Sequence, residues 1–370
     1  MKILHMASGD LWAGAEVQLY HLARELAASS QVDLMIVLLN DGQLANALRA
    51  IGVQVIILDE SSLSGLSILI HLYRLVLKFK PDVIHTHRSK ENVIGGLVAF
   101  ITRTASVRTA HGANEFADQK FNLRRAAFSL LDKISGWFFQ RSIIAVSPEL
   151  VGKLKTTYPH RKITVIPNGI NVASVIEKSN LPVEFERCAE HFNIAFVGRF
   201  VPVKRPDIFL RIAINTLNRS QQQNIHFYMF GDGPLCADAN RTILENGYQH
   251  RIHTPGFVSN IAPYLKAMDV LLFTSDHEGL PMTLLEAMAL HVTVVSRDLP
   301  TIKQVLCDGE CGYVLTSDQP EDFSRLITRL YNNKNELRIK TAMAYENLQA
   351  RYSIQEIAQS YVALYRKVSA

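Results

Sequence analysis

The sequence predicts an α/β protein made of two doubly wound, Rossmann-like domains, and three observations support this prediction. Short runs rich in Val, Ile and Leu alternate with amphipathic helical patterns along the first half of the chain. Such alternation is typical of parallel βαβ units. The same rhythm starts again near residue 190. The length of 370 residues is long for one domain and sufficient for two.

Buried parallel strands are expected wherever aliphatic and β-branched residues form a short run. In the first half these runs are 2–7, 32–39, 53–58, 82–86, 107–110 and 143–146. Between the first two, Leu19, Leu22 and Leu26 give the apolar face of a helix that Ala15 can begin. In the second half the runs are 193–197, 226–230, 270–273, 292–295 and 313–315.

The polar segment 168–190, where Pro182 argues against a long helix, is the expected hinge between the domains. The final helical pattern at 354–368 carries an apolar stripe, so it must pack on another element. In open α/β sheets, ligands bind beyond the carboxyl ends of the strands. Two such domains are therefore expected to hold a substrate in a cleft between them.

The composition indicates a soluble globular protein, with 48% hydrophobic and 20% charged residues and a mild net charge of +5. No apolar run approaches the ~18 residues that span a bilayer, and the N-terminus resembles a strand more than a leader, so we expect a cytoplasmic protein. Four scattered cysteines form neither a disulfide framework nor a complete metal site. We expect no metal and no other cofactor.

Two carboxylates flank a turn that runs into a helix, in the sequence Glu278-Gly-Leu-Pro-Met-Thr-Leu-Leu-Glu286. Pro281 fits the first helical position, and Gly279 lets the backbone approach a ligand. The N–H groups that follow, beginning with Leu280, can receive an anion. This arrangement fits a nucleotide sugar, with hydroxyls at both ends and phosphates between. The alternative is an ordinary helix N-terminus with an acidic cap.

A cationic loop follows the strand that ends near residue 197. Arg199 and Lys204 lie five positions apart after Gly198. Arginine offers a planar fork to phosphate and lysine a flexible point charge. Together they can neutralise a diphosphate leaving group without a metal. A solvated basic loop is the alternative.

Glycines occur at three further turns. Gly231 follows a strand in a turn that lacks the dinucleotide-binding fingerprint, and Gly256 follows another short strand. Gly14 and Glu16 belong to a first loop that lacks the Lys-Ser/Thr pair of a P-loop. These turns permit a close approach to a sugar, a phosphate or a base, and plain turns are the alternative.

His111 stands just past a strand end, where it can hydrogen-bond a sugar hydroxyl or share a proton during transfer. A structural role is the alternative for this single histidine. His85 and His87 also lie at a strand end. We expect them in the core or in a supporting position behind the site.

Segment 119–141 mixes basic and bulky apolar residues. The basic ones are Lys120, Arg124, Arg125, Lys133 and Arg141, and the apolar ones are Phe121, Phe128, Leu130, Leu131, Trp137, Phe138 and Phe139. This composition fits a surface that rests on anionic lipid, giving a peripheral protein on the inner face of the cell membrane. A pair of core helices with a solvated basic face is the alternative. The aromatic residues form no stacking stripe, so we expect no nucleic-acid partner.

Together these residues resemble the retaining glycosyltransferases of GT-B fold, in the large glycosyltransferase family four with its E-x7-E motif. The motifs follow the family order over essentially the whole chain. They are Gly14-Ala-Glu16, Asp82-Val-Ile-His85-Thr-His87, His111-Gly112, Val146-Ser-Pro-Glu149, Ile166-Pro-Asn-Gly-Ile170, Gly198-Arg199 with Lys204, Gly231-Asp-Gly233, Pro255-Gly256, and Glu278 with Glu286.

The resemblance implies that residues 1–170 bind the acceptor, that 171–353 bind the donor, and that a helix at 354–370 packs back on the first domain. Arg199 and Lys204 would hold the donor diphosphate, assisted by N–H groups of the turn 279–281. Glu278 would contact the sugar and Glu286 the ribose. Two turn glycines and two first-loop residues would also line the substrate site, namely Gly231, Gly256, Gly14 and Glu16.

The resemblance also implies transfer with retention, in which the departing phosphate serves as base and His111 lies near the sugar. The absence of a D-x-D triplet agrees with a metal-independent enzyme. One departure concerns the first loop, where Ala13-Gly14 replaces the two adjacent glycines common in the family. The extra methyl group narrows the space near the acceptor or phosphate.

The leading hypothesis is therefore an enzyme that transfers a sugar from a nucleoside diphosphate donor, UDP or GDP, to a hydroxyl of a glycan or lipid-linked acceptor. Cell-surface polysaccharide or lipopolysaccharide synthesis is the expected setting. A sugar-nucleotide epimerase or hydrolase on the same fold is one alternative, and a degenerate scaffold without activity is another.

Overall fold

The computed structural model describes residues 1–10, 14–111, 123–183, 190–219 and 224–370, without the side chains of 123–127 and 149. The described chain divides into two compact units. The first unit comprises Met1–Ile170 together with Ile354–Ala370, and the second comprises Asn171–Ser353. The first unit is therefore discontinuous in sequence.

The first unit contains a parallel sheet, seven-stranded within the described residues, in the order β3-β2-β1-β4-β5-β6-β7. Its strands are β1 (Lys2–Ala7), β2 (Asp33–Leu38), β3 (Gln54–Ile57), β4 (Val83–Thr86), β5 (Ala105–Ala110), β6 (Ser142–Ala145) and β7 (Ile163–Val165). The order 3-2-1-4 reverses direction between β1 and β4, which is the topological switch of a doubly wound sheet.

Helices cover both faces of this sheet. They are α1 (Gly14–Ala28), α2 (Gln43–Ala50), α3 (Gly65–Phe79), α4 (Ser89–Thr102), α5 (Leu123–Ile134) and α6 (Pro148–Lys155), followed by the distant Ile354–Ser369, with a π-helical turn at Ser135–Phe139 and a 3-10 turn at His160–Lys162. Leucines of α1 and α2 pack on one face with the apolar side of Ile354–Ser369. Residues of α3 and α4 pack on the other.

The second unit repeats the architecture with the strand order β10-β9-β8-β11-β12-β13, again parallel. Its strands are β8 (Phe192–Val197), β9 (Ile225–Phe230), β10 (Ile252–Gly256), β11 (Val270–Phe273), β12 (Thr293–Arg297) and β13 (Tyr313–Leu315). Its helices are α7 (Val172–Ser179), α8 (Pro206–Arg219), α9 (Cys236–Glu245), α10 (Ala262–Lys266), α11 (Met282–Ala289), α12 (Pro300–Val305), α13 (Pro320–Asn332) and α14 (Lys334–Arg351), with 3-10 turns at Pro202–Lys204 and Cys307–Gly309. The final helix of the chain, Ile354–Ser369, is α15 and belongs to the first unit.

The expected α/β class and doubly wound topology are confirmed, and each predicted run forms a strand with ends shifted by at most two residues. The three-residue strand β7 was not predicted, because Thr164 interrupts its aliphatic run, whereas the equally short and wholly apolar β13 was predicted. The predicted hinge 168–190 also contains more structure than expected. Asn171 starts α7 there, accepting a hydrogen bond from the Ser174 amide at 2.8 Å.

Candidate functional site

The centre of the site in the second unit is an ion pair between Lys204 and Glu278. Lys204 ends a 3-10 turn after β8, and Glu278 lies in the loop between β11 and α11. The Lys204 Nζ donates to both carboxylate oxygens of Glu278, at 2.6 and 2.8 Å. Ser275 Oγ donates to the same carboxylate at 2.6 Å. Charge-assisted hydrogen bonds of this kind fix a carboxylate in one orientation. The sequence placed these two residues in separate roles and did not anticipate their contact.

Arg205 ties the two loops that carry this ion pair. Its guanidinium binds Asp207 at 2.9 and 3.0 Å and reaches Asp276 at 3.2 Å. These carboxylates raise the pKa of Arg205 and keep it charged. Thr274 Oγ1 donates to the carbonyl oxygens of Lys204 and Arg205, each at 3.1 Å. The β8–α8 and β11–α11 loops therefore behave as one hydrogen-bonded assembly.

Arg297, the last residue of β12, supports this assembly from the next strand. Its Nη1 donates to the carbonyl oxygens of Thr274 at 3.1 Å and Ser275 at 3.3 Å, and to Asp276 Oδ1 at 2.7 Å. Its Nε donates to Asp318 at 2.8 Å. Arg297 was not predicted from the sequence. The signal available was its position at the carboxyl end of a strand, where cations line sites of this topology.

Glu286 is the fifth residue of α11 and differs from Glu278 in having no fixed partner. Among the described residues its carboxylate accepts no hydrogen bond, and Lys178 is the charge that offsets its burial. Burial raises the pKa of Glu286 to about 7, with Lys178 opposing this effect. A half-buried carboxylate without a donor can accept hydrogen bonds from a ligand.

The turn before α11 corrects one prediction. Pro281 was expected at the first helical position, but its φ of −71° and ψ of 133° are extended, and α11 starts at Met282. Proline restricts φ alone, and the ψ of 133° leaves Pro281 outside the helix as its N-terminal flanking residue. Leu280 beside it is buried, and Gly279 is half-buried.

Arg199 and Gly231 lie at the carboxyl ends of β8 and β9. The Arg199 side chain is exposed and has no ion pair or hydrogen bond among the described residues. Gly231 has a φ of +134°, and a Cβ there would come within 1.9 Å of the Gly198 carbonyl oxygen. Its amide donates to the Gly256 carbonyl at 2.9 Å. Gly231 therefore brings three loop backbones together, and only glycine fits this position. Gly256 lies within β10, not beyond it as expected.

His111 lies just after β5 in the first unit and begins a chain of hydrogen-bonded side chains. Its Nε2 lies 3.1 Å from His87 Nδ1, and His87 Nε2 lies 3.0 Å from His5 Nδ1. His5 Nε2 then lies 3.1 Å from the Tyr365 hydroxyl, which is 2.7 Å from His85 Nδ1. Burial, and secondarily the charge of Arg88, lowers the pKa of His111 to about 4.

The sheet register explains this cluster. His5 on β1 pairs directly with His85 on β4, and side chains two positions apart share one face of a strand. The nitrogens of His5, His85 and His87 lie within 4.8 Å of one another, the one group of metal-ligand type found in the described part of the chain. Every ring nitrogen of the three already has a hydrogen-bond partner. We therefore interpret the cluster as a hydrogen-bonded network.

Arg88, which caps α4, connects the first loop to this region. It donates to Glu16, which is buried, and to Asp10 at 3.1 Å. Glu16 is thus part of an ion pair at the carboxyl edge of the sheet. Gly14 is the exposed first residue of α1, and a Cβ there would meet no atom within 4 Å. Residues 11–13, including Ala13, lie outside the described residues, as does Gly112.

Segment 119–141 falls partly outside the described residues, which exclude 119–122 and the side chains of Arg124 and Arg125. The described remainder forms α5 and the π-helical turn, which pack against α4. Exposed apolar side chains are common in it, namely Leu130, Leu131, Trp137 and Phe138. No helix among the described residues has the length and apolarity needed to cross a bilayer.

Comparison with known proteins identifies the class. The profile described as "Glycosyltransferase Family 4" matches residues 12–174, and that described as "Glycosyl transferases group 1" matches 191–333. The *Escherichia coli* enzyme "UDP-Gal:alpha-D-GlcNAc-diphosphoundecaprenol alpha-1,3-galactosyltransferase" is 27% identical, covering 90% of this chain and 89% of its own. The *Staphylococcus aureus* capsular polysaccharide biosynthesis glycosyltransferase CapH is 24% identical, covering 97% and 99%.

The solved structure of HepE from Anabaena in complex with UDP-glucose shares the fold, with a TM-score of 0.81, 19% identity and coverage of 99% of this chain and 100% of HepE. Two Rossmann-like units with these motifs define a glycosyltransferase of GT-B fold. Within that class, the chain belongs to glycosyltransferase family 4. The family predicted from the sequence is confirmed, and transfer is favoured over the epimerase and scaffold alternatives.

Proposed function

We propose that this glycosyltransferase takes a sugar from a UDP-sugar and attaches it, with retention, to a hydroxyl of a lipid-linked or other cell-surface glycan. The observation that carries the proposal is the ion pair of Lys204 with Glu278, in a unit that also has the exposed Arg199 and a Glu286 carboxylate that accepts no hydrogen bond among the described residues. The *E. coli* relative is named for UDP-Gal and a diphosphoundecaprenol-linked acceptor, and HepE was solved with UDP-glucose. Both names support this choice of donor and acceptor class.

In this proposal the diphosphate binds Arg199, Lys204 and the amides at the start of α11, which have no partner within the helix. Lys204 can bridge the phosphates and Glu278, so that Glu278 remains oriented toward the sugar hydroxyls. Glu286 accepts the ribose hydroxyls. As the sugar–phosphate bond breaks, charge develops on the diphosphate, and fixed cations stabilise it without reorganisation.

We assign the remaining predicted positions on the same basis. Residues 279–281 and the glycines Gly231 and Gly256 shape the walls that receive phosphate and base. Gly14 and Glu16 line the first unit's edge for the acceptor or phosphate, and His111 contacts the transferred sugar. We also propose that no divalent metal is required, because Arg199 and Lys204 supply the countercharge. Transfer is then expected to persist in EDTA; loss restored by Mg²⁺ would contradict this point.

The donor is tested by thermal shift with UDP, GDP, UDP-galactose and UDP-glucose. Saturation at 100 times Kd stabilises a fold by about 2.7 kcal/mol, which is readily measured. We expect UDP and one UDP-sugar to raise the Tm, and GDP to leave it unchanged. A shift with none of the uridine nucleotides would overturn the donor assignment.

The acceptor is tested by UDP release with and without a polyprenyl-diphosphate-linked GlcNAc acceptor. Release should depend on the acceptor and yield a lengthened lipid-linked product. Equal release without acceptor would indicate the hydrolase alternative.

We further propose that the first unit rests on anionic membrane, which would bring it to a lipid-linked acceptor. The described part of segment 119–141 exposes four large apolar side chains, as given above. On α3 a second apolar stripe is exposed, formed by Leu66, Ile70, Tyr73 and Leu77. Exposed Arg74 and Lys78 accompany it, and α3 carries no acidic residue. Helix α4 packs against both α3 and α5. Apolar stripes with basic neighbours are typical of interfacial helices.

Sedimentation with phosphatidylglycerol vesicles tests this surface. We expect binding by the wild type, weaker binding by Arg74→Glu/Lys78→Glu and by Arg124→Glu/Arg125→Glu, and unchanged binding by Lys334→Glu/Arg338→Glu in the second unit. Each surface lysine or arginine near an anionic bilayer contributes about 1 kcal/mol. Absence of wild-type binding, or equal loss in the control, would reject the membrane proposal.

A further inference from the structure

The buried side chains behind His111 form a chain in which every link constrains the next. Beyond His85, the path continues from His85 Nε2 to Thr109 Oγ1 at 2.8 Å and from Thr109 Oγ1 to the Tyr361 hydroxyl at 3.4 Å. All members inward of His111 are buried. His111 Nδ1, at the outer end, has no partner among the described residues.

The histidines of this chain are neutral at pH 7. Burial lowers the pKa of His5 to about 3 and holds those of His85 and His87 well below the usual value. A neutral imidazole has one N–H donor and one acceptor nitrogen. If a histidine in the chain donates on one side, it must therefore accept on the other. The whole chain consequently runs in one of two directions.

The inner end selects the direction. Tyr361 has Thr109 Oγ1 as its one hydrogen-bond partner among the described residues. If the links ran inward from His111, Thr109 would donate to Tyr361 and the buried phenol proton would have no acceptor. If they run outward, Tyr361 donates to Thr109 and each buried donor in the chain finds an acceptor. Leaving a buried donor unsatisfied costs free energy, so the outward direction is favoured.

The outward direction determines the tautomer of each histidine in the chain. Thr109 donates to His85 Nε2, and His85 Nδ1–H donates to the Tyr365 oxygen. Tyr365 donates to His5 Nε2, His5 Nδ1–H donates to His87 Nε2, and His87 Nδ1–H donates to His111 Nε2. His111 must then carry its own proton on Nδ1, the ring nitrogen that has no partner among the described residues.

We propose that the buried chain through His87, His5, Tyr365 and His85 fixes His111 as the Nδ1–H tautomer, a hydrogen-bond donor and not a proton acceptor. This inference rests on the proposed function, in which His111 contacts the sugar. It narrows the two roles that the sequence left open: His111 donates a hydrogen bond to a substrate oxygen and does not remove a proton. His87, His5, His85 and Tyr365 are positioning residues that act through it.

The experiment is a two-bond ¹⁵N–¹H correlation spectrum of the full-length, ligand-free enzyme labelled at histidine, which reports the protonated nitrogen of each ring. Resonances are assigned with single His→Gln variants. We expect Nδ1–H and bare Nε2 at His5, His85, His87 and His111. The Nε2–H pattern at His111 would overturn the proposal. Because the measurement needs no donor, acceptor or turnover, its result is independent of the proposed function.

Two variants test whether the chain sets the tautomer of His111. His87→Phe removes the hydrogen bond that His111 Nε2 accepts, so His111 should lose its single-tautomer pattern and show both forms. Tyr361→Phe removes only the innermost hydroxyl, and Thr109 must still donate to His85, so His111 should be unchanged. Melting curves establish that both variants are folded. A pure Nδ1–H pattern at His111 in His87→Phe would overturn the role of the chain.

Discussion

The carboxyl edges of the two sheets differ in their main polar groups, although the first unit also has the ion pair of Arg88 with Glu16. In the second unit, charges are kept and paired, as in the contacts of Lys204 with Glu278 and of Arg297 with Asp276. In the first unit, four histidines are linked in series and held neutral by burial. Paired charges can respond to a diphosphate, whereas a neutral chain fixes the direction of hydrogen bonds. Under the proposed function, the second unit would supply electrostatic stabilisation and the first unit would supply orientation.

Acid provides the largest test of this contrast. Below pH 6.5 the histidines of the unfolded protein bind protons, whereas the four buried or half-buried histidines of the folded network stay neutral. The free energy of unfolding should therefore fall as the pH falls. Each such histidine contributes about 1.4 kcal/mol per pH unit over this window, and several act together. Denaturant unfolding between pH 7 and pH 5 measures the slope.

The slope can be assigned with one variant. His85→Gln removes one titrating ring but keeps a hydrogen-bonding side chain, so the pH slope should decrease by about one proton. His71→Gln, on an exposed histidine of α3, is the matched control and should leave the slope unchanged. An unaltered slope in His85→Gln would contradict the assignment of neutrality to the chain.

Lys204→Ala tests the charged region. Loss of one fixed cation opposite a developing charge should reduce transfer by about 10²–10³-fold, or about 2.7–4 kcal/mol. Lys303→Ala, a second-unit lysine paired with Asp298 at 3.3 Å, is the matched control and should retain activity. Lys204→Ala should also lower the Tm, because it leaves the buried Glu278 carboxylate without its lysine. The double variant Lys204→Ala/Glu278→Gln should restore the Tm but not transfer. Activity close to wild type in Lys204→Ala would refute the donor-site assignment.

Arg297→Met tests the support of the loops. It removes donors to two carbonyls and two carboxylates, so the protein should lose about 1–3 kcal/mol of stability and the KM for the donor should rise. Arg325→Met, which loses an exposed contact to Asp322, is the control. If both variants behave alike, Arg297 does not order the site.

Glu286→Gln gives the smallest expected change and the opposite pH sign to that of the histidines. The unfolded carboxyl ionises near pH 4.5 and the folded one near 7, so its burial favours the folded state at low pH and this advantage is lost as the pH rises through 7. The variant should therefore be more stable than the wild type by about 1–2 kcal/mol at pH 8 and equal to it near pH 4. Its affinity for the donor should fall. A destabilised variant at pH 8 would contradict this account.

The sequence predicted what depends on local pattern. Alternating runs identified both sheets, and the motif residues Lys204, Glu278 and Glu286 were recognised as a group. It did not predict the contact of Lys204 with Glu278, because these residues are 74 positions apart and meet only when β8 lies beside β11. Arg297 was not predicted because two of its partners are backbone carbonyls, and the sequence does not reveal contacts with backbone groups.

The histidine chain could not be predicted from the sequence for a similar reason. A period of two places His85 and His87 on one face, and this much was available from the sequence. The adjacency of His5 and His85 requires the strand order β1-β4, and Tyr365 lies on a helix 280 positions after His85. Pairing across such distances is decided by topology, which no short motif encodes.

The placement of α15 has a consequence for how the chain acquires its structure during synthesis. Residues 1–170 leave the ribosome long before Tyr361 and Tyr365 exist, and the whole of the second unit is made in between. Until then the face that α15 covers is open, and the strand histidines behind His111 lack their tyrosine partners. Maturation of the first unit is therefore delayed until the final helix emerges, and chaperone binding to nascent chains shortened before residue 354 should exceed that to the completed chain.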